Sequence, residues 1–270
     1  MKASTLMAAA AIATALLATP AAHAGRSCEA KKPSAPSIER GLVLAERTLK
    51  ALESDHAKSG TQVVVLARAG QDLSKYGLRY SHLGFAYRTT DAQGQPVWRV
   101  LHKLNHCGTA EAALYRQGLG EFFLDDLWRH EAAWAVPSPE VQAKLAPMLH
   151  DARRVASLHH KPYSIVSYPW ALKYQQSNQW AIETLAMAMS SEVASRSQAQ
   201  AWLKARAYEP TTLRLGPLTR LGGRVSAANV AFDDHPDAKR FSDRIETVTV
   251  DSVFAWLQRS GLAGEPVVLR

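Results

Sequence analysis

Tyr80-Ser81-His82-Leu83-Gly84-Phe85-Ala86-Tyr87-Arg88, followed by Trp98-Arg99-Val100-Leu101-His102, decides the fold of this chain. Both stretches alternate as strands do, and the turn-forming residues from Asp91 to Pro96 join them into a hairpin. Alternation sets Leu83, Phe85 and Tyr87 on one face of the first strand and Tyr80, His82, Gly84 and Ala86 on the other. His102 shares a face with Trp98, Val100 and Leu104. The neighbours of His82 on its own face are small, which leaves room for a group to approach the imidazole. Two imidazoles on paired strands can act as a general base and its orienting partner, provided a nucleophile is brought to them. A single strand histidine is more often a hydrogen-bonded core or rim residue.

Around this hairpin the pattern predicts further elements. Ser37 caps a helix over 39–54, and Val63 to Ala67 is an apolar, β-branched run that reads as a buried strand. A polar connection over 71–78 leads into the His82 strand. After the His102 strand, Ala110 to Gln117 suits a helix closed by Gly118, and 134–136 a short strand. Ser138 and Pro139 open a helix over 139–149. Residues 163–168 are extended. From Ser177 onward Ile182, Leu185, Ala186 and Met189 follow helical spacing. Another helix covers 197–207, the Gly/Arg-rich segment 214–224 reads as a loop, and a strand over 246–250 precedes a helix over 251–258. The loop arginines Arg214, Arg220 and Arg224 read as solvated charges rather than an anion site. The expected class is α+β, a small antiparallel sheet packed against helices.

The first residues read as an export signal. Lys2 is followed by the apolar run from Leu6 to Leu17, and Ala22-His23-Ala24 fits a small-x-small cleavage site. The reading is thus a signal peptide over 1–24 and one α+β domain over 25–270, periplasmic or secreted. The apolar run is short for a membrane span, and no later segment approaches the needed length. Loss of Lys2 takes the formal charge from +8 to +7, which favours anionic envelope partners. No Lys/Arg run with interleaved aromatics points to nucleic acid. Two cysteines in an exported chain, Cys28 and Cys107, default to one disulfide. The competing reading leaves Cys107 a reactive thiol beside His106. His159-His160 lacks the spacing of a metal site, and no cofactor is implied.

Gln175-Gln176-Ser177-Asn178-Gln179-Trp180 opens the firmest helix. A nucleophile there gains from exposed N–H groups and the helix dipole. Ser177 is also a good N-cap, which needs no chemistry. Both readings stand.

Four stretches together resemble an exported bacterial family known as domain of unknown function 2145. They are the run from Val64 to Leu73, Tyr76-Gly77-Leu78-Arg79-Tyr80-Ser81-His82, Leu104-Asn105-His106-Cys107-Gly108-Thr109 and Ser177-Asn178-Gln179-Trp180. That family carries no assigned activity. More distantly, Ser81-His82-Leu83-Gly84-Phe85 and the helix head resemble the circularly permuted NlpC-type branch of the papain-like superfamily. The resemblance implies His82 as base, His102 as its orienting residue and position 177 as nucleophile, with Arg79 and Asn178 as substrate or oxyanion contacts. It also implies an amide- or ester-linked envelope ligand, a peptidoglycan peptide or an acyl lipid. Serine stands at 177 where that superfamily has cysteine. A hydroxyl must lose its proton during attack, whereas a thiol is readily ionised beforehand. The expectation is therefore a papain-like protein that recognises such a ligand without cutting it, with a serine-dependent hydrolase as the alternative.

Overall fold

The computed structural model describes residues 33–270; the expected signal peptide and Cys28 lie outside them. In chain order the elements are α1 (Ala35–Ser59), β1 (Val63–Ala69), β2 (His82–Thr90), β3 (Pro96–Asn105), β4 (Ala112–Gly118), α2 (Leu119–Phe123) and β5 (Arg129–Ala135). Then follow α3 (Pro139–His150), α4 (Ala152–Ser157), α5 (Ser177–Met189), α6 (Arg196–Ala205), β6 (Thr211–Arg214) and α7 (Pro217–Ser226). The chain closes with α8 (Asp237–Arg240), β7 (Arg244–Thr247), α9 (Val250–Arg259) and β8 (Val267–Leu269). The class is α+β, as the sequence predicts.

A six-stranded antiparallel sheet, ordered β4-β3-β2-β1-β5-β8, organises the molecule. All of β1 is buried because helices cover both faces of the sheet, which explains its unbroken apolar run. On one face Val64, Leu66, Ala86, Trp98 and Val100 pack with Leu44 and Leu52 of α1 and Phe122 and Phe123 of α2. On the other, Val65, Phe85 and Leu101 meet Leu145 of α3, Trp180 and Leu185 of α5 and Trp256 of α9. A separate hairpin, β6–β7, carries a third cluster of Leu213, Leu215, Phe232 and Ile245.

Several sequence expectations are corrected. Residues 110–117 are not a helix: β4 pairs with β3 from Arg99↔Gly118 to Asn105↔Ala112. The alanines that favour a helix locally yield to the open edge of β3, a tertiary override of a weak preference. Segment 214–224 is not a loop throughout, since α7 starts at Pro217, where a missing N–H costs nothing. The first helix is capped by Ser34 rather than Ser37, accepting from Ser37 N at 3.3 Å. Val250 belongs to α9 rather than to a strand, because Thr249 and Ser252 form a reciprocal cap.

Gly84 sets the spacing of β2 and β3. A Cβ placed there would lie 2.7 Å from His102 Cβ and 2.9 Å from the Leu101 carbonyl oxygen. Both are closer than real atoms approach, so the strands and His102 fit only against hydrogen. Gly84→Ala should lower the unfolding free energy by about 2 kcal/mol, as overpacking of a tight core does. Urea titration tests this, and an unchanged midpoint would show that the contact is not tight.

Candidate functional site

The space beside His82 is filled by His102. His82 Nε2 and His102 Nδ1 are 2.8 Å apart, and His102 Nε2 lies 2.8 Å from Gln117 Oε1 on β4. The order of these bonds fixes the protons. Gln117 Oε1 can only accept, so His102 carries its proton on Nε2 and accepts on Nδ1. His82 then donates from Nε2, which leaves an acceptor lone pair on His82 Nδ1. That atom makes no hydrogen bond and is not sealed off, and His82 lines a cavity. Phe122 of α2 packs against both rings, at centroid distances of 6.0 Å from His82 and 5.2 Å from His102.

Electrostatics keep the pair neutral. Burial, reinforced by Arg68 and then by His102, holds the His82 imidazole well below its ordinary range. Burial and Arg68 bring His102 down to about 4, against a smaller upward pull from Gln117. Arg68 is itself buried, donating to the Phe122 carbonyl and to Asp125, with its guanidinium 4.6 Å from the Phe122 ring centroid. No carboxylate hydrogen-bonds to either imidazole, and the upward pull of Gln117 on His102 is too small to offset burial and Arg68.

The head of α5 approaches from the other side. The β2–β3 ladder ends at Phe85↔Leu101, and beyond it Leu83 N donates to Asn178 Oδ1 at 3.1 Å. Asn178 Nδ2 donates to the Val248 carbonyl at 3.2 Å. Both ends of this side chain are thereby engaged in holding the helix to the sheet and to the segment before α9. Ser177 does not cap α5; Gln176 does, its Oε1 accepting from Asn178 N at 3.1 Å. Capping therefore does not account for the serine. Its hydroxyl instead lies 3.5 Å from the Tyr163 hydroxyl and makes no hydrogen bond to His82. The reason is geometric. Helix α5 packs Trp180 against Phe85 on one face of the sheet, whereas the imidazoles face Phe122 on the other.

A buried polar network anchors this helix. Glu183 accepts from Gln175 Nε2 at 2.5 Å, Gln200 Nε2 at 2.9 Å and Arg196 Nε at 2.8 Å. Gln175 Oε1 also accepts from Lys103 Nζ at 2.9 Å. Burial, with Arg196 adding to it, lowers Lys103 to about 7. Lys103 thus ties β3 to the loop that leads into α5.

The two sides meet in one cavity of about 770 Å³, at the diverging ends of β2 and β3. Its walls include His82, Gln117, Arg68, Tyr163, Ser177 and Asn178, and Cys107 also borders it. No free cysteine occurs among the described residues, and the predicted partner Cys28 falls outside them. Arg79 does not line the cavity. Its guanidinium grips the buried Glu131 with bonds of 2.6 and 2.9 Å, and Tyr80 donates to the same carboxylate at 2.7 Å. The Arg79 bond is the main cause that draws Glu131 down to about 2. Gln117, Arg68 and Tyr163 were missed from sequence. Gln117 would have emerged had β4 been read as a strand, because it then faces the histidine side; the other two carry no local signal. Among the described residues no group of three or more His, Cys, Asp or Glu converges as metal ligands. No helix among them is long and apolar enough to cross a membrane.

The molecule is thus an α+β protein whose central sheet splits to form a cavity around an oriented, neutral histidine pair. The family described as "Uncharacterized protein conserved in bacteria (DUF2145)" matches residues 55–257, and the chain belongs to that family. No curated protein and no solved structure matches it.

Two predictions follow from these groups. With His102 near 4 when folded and 6.5 when unfolded, its contribution to stability is complete above pH 6.5 and is lost as the pH falls towards 4. Each such imidazole adds a slope of up to about 1.4 kcal/mol per pH unit over that window. His102→Gln should flatten the acid limb of stability between pH 7 and 5, measured by urea unfolding; an identical slope would contradict the assignment. Arg79→Ala should cost roughly 2 kcal/mol by removing the main partner of the buried Glu131 carboxylate and leaving it Tyr80 and the more distant Arg270, and Arg79→Ala/Glu131→Gln should recover part of it. A destabilisation unaffected by the second change would rule out the ion pair as its source.

Proposed function

We propose that this protein recognises an amide-bearing ligand of the bacterial envelope, such as a peptidoglycan peptide, in the cavity beside His82 and does not hydrolyse it. The observation that carries this reading is the His82–His102–Gln117 relay, which presents a neutral acceptor at His82 Nδ1. An acceptor-only imidazole calls for a donor, and an amide N–H supplies one where an ester does not. The cavity volume lies in the range of small-ligand sites. Against catalysis stand a base weakened by burial and Arg68, and a Ser177 hydroxyl bonded to Tyr163 rather than to His82. The resemblance to the permuted papain-like superfamily fits this reading, with serine in place of the thiol. The proposal takes the chain as exported, with Cys28 and Cys107 joined in a disulfide at the cavity border.

A serine-dependent hydrolase is the second reading. Ser177 lies at a helix N-terminus and faces the same cavity as His82, so a ligand that draws the two together would complete a nucleophile–base pair. One experiment separates them. A fluorophosphonate probe should leave Ser177 unlabelled, while calorimetry with a soluble stem peptide should show binding that survives Ser177→Ala. Binding should weaken about tenfold in His82→Ala, the worth of one buried hydrogen bond. A covalent adduct on Ser177 that disappears in His82→Ala would decide for the hydrolase.

A further inference from the structure

Helix α7 turns its apolar side outward. With about 3.6 residues per turn, Leu218, Leu221 and Val225 form one stripe, and Arg220 and Gly223 lie opposite. The stripe is exposed at 84%, 61% and 65%, respectively. The opposite side is the packed one. Arg220 donates to the Ser242 carbonyl at 2.6 Å with its guanidinium 4.7 Å from the Phe232 ring centroid, and a Cβ at Gly223 would meet Val230 at 3.3 Å. Phe241, next to Ser242, is 77% exposed. A surface helix normally buries such a stripe, so this one is a contact surface.

Charge identifies what it contacts. From Leu213 to Phe232 the chain has three arginines, Arg214, Arg220 and Arg224, and no acidic residue. Arg214 and Arg224 are exposed beside the stripe, and Arg240 lies 5.4 Å from the Phe241 ring centroid. Of the acids that follow, Asp233 is paired with Lys173, Asp234 with His235, Asp243 with Arg244 and Glu246 with Lys239, and Asp237 at the head of α8 is exposed. A second copy of this chain would set these arginines against their own counterparts, which opposes self-association. A surface of anionic lipid headgroups over acyl chains complements both the charge and the stripe.

We propose that α7 and Phe241 seat the protein on an anionic membrane surface, with Leu218, Leu221, Val225 and Phe241 entering the headgroup–acyl boundary and Arg214 and Arg224 meeting lipid phosphates. Residues on either side of this helix, Leu213 and Leu215 before it and Ala228 and Asn229 after it, line the His82 cavity. The seat therefore holds the cavity close to the bilayer, where a ligand anchored in the envelope is presented.

Flotation with phosphatidylcholine vesicles, with and without phosphatidylglycerol, tests the proposal on the full chain. Because Leu6 to Leu17 is itself apolar, the readout is the difference between the unaltered chain and variants. The chain should float with phosphatidylglycerol vesicles and be released by salt. Leu218→Ser/Leu221→Ser/Val225→Ser should reduce the bound fraction about tenfold or more, and Arg214→Gln/Arg224→Gln should remove the preference for the anionic lipid. These side chains are exposed, so circular dichroism and the melting temperature should stay unchanged in both variants. Equal flotation of the triple variant and the unaltered chain would overturn the proposal. So would a concentration-dependent dimer that the triple variant abolishes, since the stripe would then be covered by a second copy. Vesicle binding is measured without the cavity ligand, so its failure is distinct from failure of the recognition reading.

Discussion

His102 lies against Gly84 with no room for another atom, and the site depends on that contact. The glycine lets β2 and β3 draw close enough for the two imidazoles to bond directly at 2.8 Å. Once bonded, His102 has one nitrogen left, and β4 supplies Gln117 to receive its proton. Each ring thereby loses a degree of freedom, and one acceptor, His82 Nδ1, remains on a ring that lines the cavity. Burial and the Arg68 guanidinium keep the whole relay uncharged. An imidazole held in this way accepts from a donor and takes up a proton poorly, which is the physical ground of the proposed recognition.

The cavity follows from a second constraint, the early end of the β2–β3 ladder. Past Phe85↔Leu101 the two strands no longer pair, and the freed Leu83 N–H needs an acceptor. Asn178 provides it and reaches on to Val248, so the head of α5 is wedged where the strands part. Glu183, with its ring of donors, fixes the helix from behind. Residues from opposite faces of the sheet, His82 and Ser177, come to line one space without touching. A split sheet, rather than a shared face, is what brings them together.

Much of this was legible in the sequence where local pattern and tertiary context agree. The hairpin of His82 and His102, the small residues beside His82 and the helix from Ser177 all carry strong periodic signals. The space that the small residues leave next to His82 is taken up by His102 itself. What was hidden depended on long-range pairing. The stretch from Ala112 to Gly118 has helix-forming residues and becomes a strand only because β3 offers an edge, so Gln117 was lost with it. Ser177 looked like a cap, and only the backbone shows that Gln176 has that role. Arg79 looked available for a ligand until Glu131, more than fifty positions away, claimed it. The α7 segment was masked by its glycines, which suit a loop and are tolerated here because one faces open space and the other packs on Val230.

Nitrogen-15 NMR of the histidine side chains measures the protonation pattern of the relay directly. At pH 7 protons should sit on His82 Nε2 and His102 Nε2, with His82 Nδ1 bare. This pattern should persist on acidification to about pH 5, well below the ordinary histidine midpoint. A proton on His82 Nδ1, or protonation of either ring with a midpoint near 6.5, would contradict it.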